Sequence, residues 1–273
     1  MTGTVFERSP YLVVTAALAV LFLFPLAWSA IASVSPQPGT QQVHGVGLGN
    51  YVRLFHYGHG ALTYLLNSTI VALVTVAFTL AISVVGGYAF ARFTFPGHDA
   101  LFLLTLAILM VPYGTLLIPF YVLLHAVGLV NSLLGLCLVL TLFQLPFATF
   151  MMRISFEAVP RELEESALVD GAGSVALLRR VFLPAVLPGL ITVALFAFLA
   201  AWNDFIAPLI LISDDAKSPL PLAIASLRQQ TTFTIDYGAT EAGVVVMAIP
   251  CLVLFVLLQR YYVRGFMSGA IKG

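Results

Sequence analysis

Charge is scarce in this sequence. Only 9% of its 273 residues are charged, and its 12 basic residues are balanced by 12 acidic ones. Proteins that bind nucleic acid carry a basic stripe or patch, so the balance argues against a nucleic-acid partner. Soluble domains are about 25% charged, and this composition therefore excludes an ordinary soluble domain as well.

Cysteine is also rare, and a nucleotide-binding motif is missing. Cys137 and Cys251 both lie inside apolar runs, which predicts small buried side chains rather than a disulfide or a metal pair. The chain has no Gly-x-x-x-x-Gly-Lys-Ser/Thr phosphate loop, and the glycine-rich segment 45–49 is interpreted as a flexible loop. We therefore expect no catalytic residue, no metal site and no cofactor in this chain itself.

Apolar residues, by contrast, make up 60% of the chain. A membrane-spanning helix needs about 20 consecutive apolar residues, so the runs and their breaks predict an all-α membrane protein with six transmembrane helices. The predicted spans are Tyr11–Ser33, Asn67–Ala91, Leu101–Val127, Ser132–Met152, Pro188–Ile212 and Ala239–Gln259. The first run resembles a signal peptide, but it exceeds the usual 7–15 apolar residues and is interpreted as a retained helix.

The twelve basic side chains separate unevenly between the loops. Nine lie in one set of loops, namely Arg8, Arg92, Arg153, Arg161, Arg179, Arg180, Arg260, Arg264 and Lys272. The other three are Arg53, Lys217 and Arg228. Because cytoplasmic loops hold the excess of Lys and Arg, we expect both termini and the Arg153–Leu183 loop to lie in the cytoplasm.

Polar side chains at membrane depth are the candidates for a solute path. Asp204 is placed about 16 residues into the fifth predicted span, and an acid inside the membrane indicates function. The other candidates are Gln144, Asn203, Glu241 and the aromatic residues Tyr88, Tyr113 and Tyr121. A structural polar cluster between helices remains the alternative for each of them. Pro112 and Pro119 allow either a packing kink or a break that lines a cavity.

The Arg153–Leu183 loop has a helical pattern of its own. Pro160 and the acidic residues after it suit the start of a helix, and Gly171 suits its left-handed end. Ser174 is then expected to cap a second short helix that runs to Arg180. Two short helices joined at a glycine would suit docking into a groove of a soluble partner. The alternative is a solvated charged loop.

The same loop resembles the "EAA" loop of ABC importer permeases. Its pattern is Glu165-Ser166-Ala167, three residues, Gly171, nine residues and then Val181-Phe182-Leu183-Pro184. The family has Glu-Ala-Ala, three residues, Gly, nine residues and Ile-x-Leu-Pro. Every spacing agrees, and the departures are Ser166 for Ala and Val181 for Ile.

Further segments resemble the carbohydrate-uptake permeases, in their maltose-type, MalG-like branch. These segments are Asn67-Ser68-Thr69, residues 87–93, Met110-Val111-Pro112, Ile118-Pro119, residues 128–131, residues 202–205 with Pro208-Leu209, residues 259–265 and residues 269–273. The resemblance covers the chain from about residue 60 to its end. It implies domains at 1–60 (first helix and external loop), 61–260 (core with the coupling loop at 153–184) and 261–273 (tail).

The resemblance further implies the fold of a type I ABC importer permease in a bacterial plasma membrane. Its partners would be a second homologous permease, a dimeric ATPase that binds ATP and Mg, an extracytoplasmic solute-binding protein, membrane lipid and a sugar-like solute. The implied ATPase-coupling residues are Glu164, Glu165, Ser166, Ala167, Asp170, Gly171, Leu183 and Pro184. The rival functions are an ion-coupled carrier or channel that acts alone and a membrane-embedded enzyme. The enzyme would need a constellation that His125 and Asp204 do not form by spacing.

Overall fold

The computed structural model describes residues 9–36, 45–230 and 236–270, and every regular element in these ranges is helical. The α-helices are α1 (Ser9–Val34), α2 (Gly49–His56), α3 (Ala61–Arg92), α4 (His98–Ala107), α5 (Tyr113–Ala126), α6 (Leu133–Glu157), α7 (Arg161–Val169), α8 (Ser174–Leu177), α9 (Leu183–Ala185), α10 (Leu187–Asn203), α11 (Ile206–Leu211), α12 (Leu220–Gln230) and α13 (Tyr237–Ala270). Short 3₁₀ turns cover Ile108–Met110 and Asp215–Lys217, and Leu178–Phe182 is a π-helix.

Four helices within the described ranges are long and apolar enough to cross a membrane, and the expected all-α membrane fold is confirmed. These stretches are Leu12–Val34, Ala61–Arg92, Leu133–Glu157 and Tyr237–Gln259. The count rises to six if two bent pairs each form one span, namely His98–Met110 with Tyr113–Ala126 and Ser174–Ala185 with Leu187–Asn203. Helix α13 continues to Ala270, into the predicted tail, and residues 271–273 lie outside the described part.

The third predicted span is broken rather than continuous. Its halves meet at an angle of 106°, and the break falls at Val111 and Pro112, both of which have extended backbone. A residue before proline is disfavoured in the α region, so Val111 leaves the helix and Tyr113 begins the next one. Pro119 lies inside α5 without breaking it. Pro112 is therefore the proline at the break in this span.

The fifth predicted span ends earlier than expected. Helix α10 stops at Asn203, Asp204 is extended, and α11 starts at Ile206. The Asp204 carboxylate accepts a hydrogen bond from the amide of Ala207 at 2.8 Å, because a short acidic side chain competes for backbone donors at a helix start. Asp204 therefore lies at a helix break, and its expected place within a continuous span was wrong.

The described helices belong to two compact units. The first contains the described residues up to Leu62 and those within Ala223–Pro250. Inside it, the buried Asn50 amide donates to the carbonyls of Ser33 at 2.8 Å and Ser35 at 3.0 Å, which fixes α2 to the end of α1. Arg53 pairs with Asp236 at 2.9 Å just before α13.

The second unit contains Thr63–Leu222 and the described residues from Cys251 onward. Helix α6 is central to it and packs along α10. Glycines allow the close approach of backbones that membrane helices favour. A Cβ on Gly87 of α3 would lie 2.5 Å from the Cβ of Met152, and one on Gly189 of α10 would collide with the side chain of Ser155.

Candidate functional site

Helix α7 ends in a Schellman turn at Gly171. Gly171 has a φ of +81°, and its amide donates to the carbonyl of Leu168 at 3.0 Å, while the Ala172 amide donates to that of Ala167 at 2.9 Å. A left-handed residue at this position favours glycine. Ser174 is the first residue of α8 rather than its cap, so the expected capping role was wrong.

The outward face of α7 is acidic and partly apolar. Glu165, Ser166 and Asp170 are exposed, and Val169 is 87% exposed. Together with Glu162 they line a shallow depression. An exposed helix face that combines apolar and acidic side chains is suited to a partner groove.

The inward side of the loop rests on an aromatic core. The ring of Phe182 lies 5.3 Å from that of Tyr88 and 5.9 Å from that of Phe156. Ala167 of α7 packs against this cluster. Tyr88, a predicted path residue, is only 7% exposed here, and it packs under the loop rather than lining the cavity described below.

Leu183 and Pro184 start α9 directly after the π-helix. Pro184 lacks the amide hydrogen that would bond the carbonyl of Arg180, and the helix register changes in the same turn. Leu183 is half-buried and Pro184 is exposed. The two residues thus form the junction between the loop and α10.

Arg92, at the end of α3, connects the loop with two transmembrane helices. Its side chain is 7% exposed and pairs with Glu164 of α7 at 3.1 Å. Its other terminal nitrogen donates to the carbonyls of Phe156 at 2.6 Å and Val159 at 2.7 Å. In the sequence, Arg92 was noted only as part of a segment that resembles the carbohydrate-uptake permeases. Its pairing with Glu164 was not predicted, because no sequence pattern connects residues 72 positions apart.

A second candidate site lies at the two helix breaks. A cavity of about 600 Å³ is lined by residues 108–113, Leu140, Phe143, Gln144, residues 199–201, Asn203 and Asp204. The Tyr113 hydroxyl donates to the Asp204 carboxylate at 2.5 Å, and the Tyr113 ring lies 4.4 Å from that of Phe143. The Asn203 amide donates to the carbonyl of Leu199 at 2.8 Å. Polar groups and aromatic faces therefore share one concave surface.

Four of the seven path candidates line this cavity, namely Tyr113, Gln144, Asn203 and Asp204. Tyr121 lies on an exposed face, where its ring stacks with that of His125 at 6.4 Å. Glu241 belongs to the first unit, near the start of α13. Phe143 and the segment 108–111 were not predicted as cavity residues. For the segment the available signal was Pro112 directly after it, and for Phe143 the sequence offered none.

Comparison with known proteins gives a consistent result. Residues 83–267 match the family model described as the binding-protein-dependent transport system inner membrane component. The diacetylchitobiose uptake system permease protein DasC of Streptomyces coelicolor is 34% identical, with 100% of both chains covered. The trehalose transport system permease protein SugB of Mycobacterium tuberculosis is also 34% identical, over 98% of this chain and 99% of that one.

A solved structure has a similar fold. It is that of a bacterial ABC transporter involved in the import of the acidic polysaccharide alginate. One chain of it aligns with a TM-score of 0.78 at 21% identity and covers 94% of this chain and 98% of its own length. At 21% identity the similarity is evidence about the fold alone, and it confirms the expected fold class.

Proposed function

The chain belongs to the binding-protein-dependent transport inner-membrane components, as a multi-pass carbohydrate-uptake ABC permease, and from that premise we propose how it works. Its Arg153–Leu183 loop couples to separate ATPase subunits that bind ATP and Mg, and its cavity lies on the path of a sugar-like solute. The matched relatives are named permeases, which are transport components rather than catalysts.

The observation that carries the proposal is a pair of helices that reach both sites. Helix α6 contributes Phe156 to the aromatic core and Gln144 to the cavity, which are roughly 18 Å apart along the helix. Helix α10 contributes Leu190 and Asn203 in the same way, roughly 20 Å apart. A movement of the loop would therefore reach the cavity through continuous packed helices, as coupling between distant sites requires.

The loop supports an ATPase partner through its chemistry. Its exposed face presents Glu165, Ser166 and Asp170 beside Val169, while its other face is fixed on the core. No residue of this chain forms a phosphate loop, so hydrolysis belongs to another subunit. We expect a second permease to complete the pathway and an extracytoplasmic binding protein to deliver the solute, with both termini and this loop in the cytoplasm.

The cavity supports a polyhydroxylated solute. Gln144, Asn203 and Tyr113 supply amide and hydroxyl groups, and the rings of Tyr113 and Phe143 supply apolar faces. Such a combination matches the polar edges and apolar faces of a sugar ring. A sugar or a related polyol is therefore the solute class that the site favours.

The coupling role is tested by photo-cross-linking in the complex purified from native membranes. A benzoylphenylalanine at Val169, which is 87% exposed, is expected to capture an ATPase subunit. The same group at Met110, which is 86% exposed but lines the cavity, is the control and should capture none. An intact complex in which position 169 captures no ATPase would contradict the proposal.

Variants of two glycines in the loop give a second test of the coupling role. Gly171→Val should abolish the cross-link from position 169, because valine is strained at a φ of +81°. Gly173 also has open space around it, but its φ of −76° suits any residue. Gly173→Val should therefore retain the cross-link. If both variants lose the cross-link equally, the left-handed conformation of Gly171 is not what positions α7 for its partner.

A further inference from the structure

Arg92 is the cation at the point where the transmembrane helices meet α7. It is the last residue of α3, and its side chain is 7% exposed. Its two terminal nitrogens contact α7 through Glu164 and the end of α6 through the carbonyls of Phe156 and Val159. Its guanidinium carbon lies 4.7 Å above the ring of Phe182 in the π-helix.

The four contacts need the shape of a guanidinium group. The Phe156 carbonyl lies in the last turn of α6 and the Val159 carbonyl just beyond it, where carbonyls lack the regular amide partner of a helix interior, and Glu164 lies on a different element. A planar fork of fixed N–H donors can serve acceptors on separate elements at once, whereas the single ammonium of lysine is a compact point charge. A buried cation without such partners would be strongly destabilising.

We propose that Arg92 is the positioning residue that makes α3, the end of α6 and α7 move together when the loop is displaced. The proposal rests on the coupling function proposed above and assigns to Arg92 the mechanical connection of that function. Glu164 is the only one of these contacts that lies on α7. Without the Arg92 contacts, α7 should still bind a partner. A displacement of α7 should then no longer move α3.

The test measures nucleotide-dependent exposure of the cavity, which requires no knowledge of the solute. Met110→Cys, in a background without Cys137 and Cys251, places a thiol on the cavity wall. Its labelling by a water-soluble maleimide is compared in the purified complex without nucleotide and after trapping with MgATP and vanadate. ATP hydrolysis is measured on the same preparations without vanadate.

With Arg92 present, trapping should change the labelling rate by about tenfold, the size expected for coupling of 1–2 kcal/mol. In Arg92→Gln the change should fall to within about twofold while hydrolysis continues, because only the transmitted movement is lost. Arg92→Lys should give an intermediate change. The control is Lys217→Gln, since the contacts of Lys217, with Asp214 at 3.5 Å and the Asn131 carbonyl at 3.1 Å, lie outside the loop and the cavity, and it should respond like the background.

A full trapping response in Arg92→Gln would overturn the proposal and leave the coupling function standing. If Arg92→Gln does not assemble, Glu164→Gln decides, since it keeps the two bonds to α6. A full trapping response in Glu164→Gln would show that Arg92 is needed for folding and not for transmitting the movement of α7. A background complex that contains an ATPase but shows no trapping response at all would instead overturn the coupling function itself.

Discussion

At the scale of the residue, one hydrogen bond joins the two helix breaks of the cavity. Tyr113 is the first residue of α5, and Asp204 directly follows the last residue of α10. Their bond of 2.5 Å links the two ends across the cavity wall, and a hydrogen bond to a carboxylate is worth more than one between neutral groups. The shape of the cavity therefore depends on the Tyr113 hydroxyl.

Removing this hydroxyl should reduce transport. In Tyr113→Phe the ring remains against Phe143, but Asp204 loses the hydroxyl donor. We expect uptake to fall at least tenfold, since a bond worth about 1.5–3 kcal/mol corresponds to a factor of about 10 to 150. Uptake is measured in cells with a radiolabelled sugar that the unaltered complex imports, chosen by screening a panel of mono- and disaccharides. Tyr121→Phe removes the same atom from an exposed face and should leave uptake unchanged. Equal effects in the two variants would contradict a role for the cavity.

The sequence treated these tyrosines alike, and only the fold separates them. Tyr88, Tyr113 and Tyr121 are all aromatic residues in apolar runs, so composition makes each an equal candidate for the path. Packing then places Tyr88 in the core below the loop, Tyr113 in the cavity and Tyr121 on an exposed face. A single sequence contains no information about which neighbouring helix will cover a given face.

At the scale of the element, α3 and α6 approach each other closely at Gly87. A Cβ on Gly87 would lie 2.5 Å from the Met152 Cβ and 2.9 Å from the Arg153 nitrogen, both parts of α6 that cannot move away easily. A Cβ on the neighbouring Gly86 would meet Thr149 at an ordinary 3.6 Å. The packing of α3 against α6 therefore requires glycine at position 87 but not at position 86.

Alanine should distinguish these glycines. Gly87→Ala is expected to lower the thermal midpoint of the purified complex, since overpacking costs about 1–3 kcal/mol and outweighs the gain of up to about 1 kcal/mol in helix propensity. Gly86→Ala should keep or raise the midpoint, because it gains the propensity without a collision. The midpoints are measured by unfolding in detergent, and a stabilised Gly87→Ala would show that the helices can separate at no cost.

The coupling loop was predictable as an element because its signals are local. Proline before the acidic turn and glycine after it specify the start and end of α7 through backbone conformation alone. The π-helix at Leu178–Phe182 was not predictable, since the expected helix simply ran on to Arg180. The register change falls where Phe182 packs into the aromatic core, and the packing partners Tyr88 and Phe156 are distant in sequence.

At the scale of the whole molecule, hydropathy predicted the spans but not their bends. Both halves of the pair His98–Met110 and Tyr113–Ala126 are apolar, so a hydropathy window sees one continuous segment and cannot report the angle of 106° between them. The same holds for the bend of 78° before α10. Cavities in membrane proteins form where such breaks meet, and this site could be placed only after folding.

The orientation of the chain follows from its charges and can be tested at two positions of the second unit. The predicted topology places nine of the twelve Lys and Arg residues in one set of loops, and we predict that these loops face the cytoplasm. A cysteine at Val169 should then react with a membrane-impermeant maleimide only in inside-out vesicles, and one at Lys217 only in intact cells, in a background without Cys137 and Cys251. Val169 is 87% exposed and the Lys217 side chain 44% exposed, so both positions are accessible to the reagent. Labelling of both cysteines from the same side would refute the arrangement, and with it the access of the loop to a cytoplasmic ATPase.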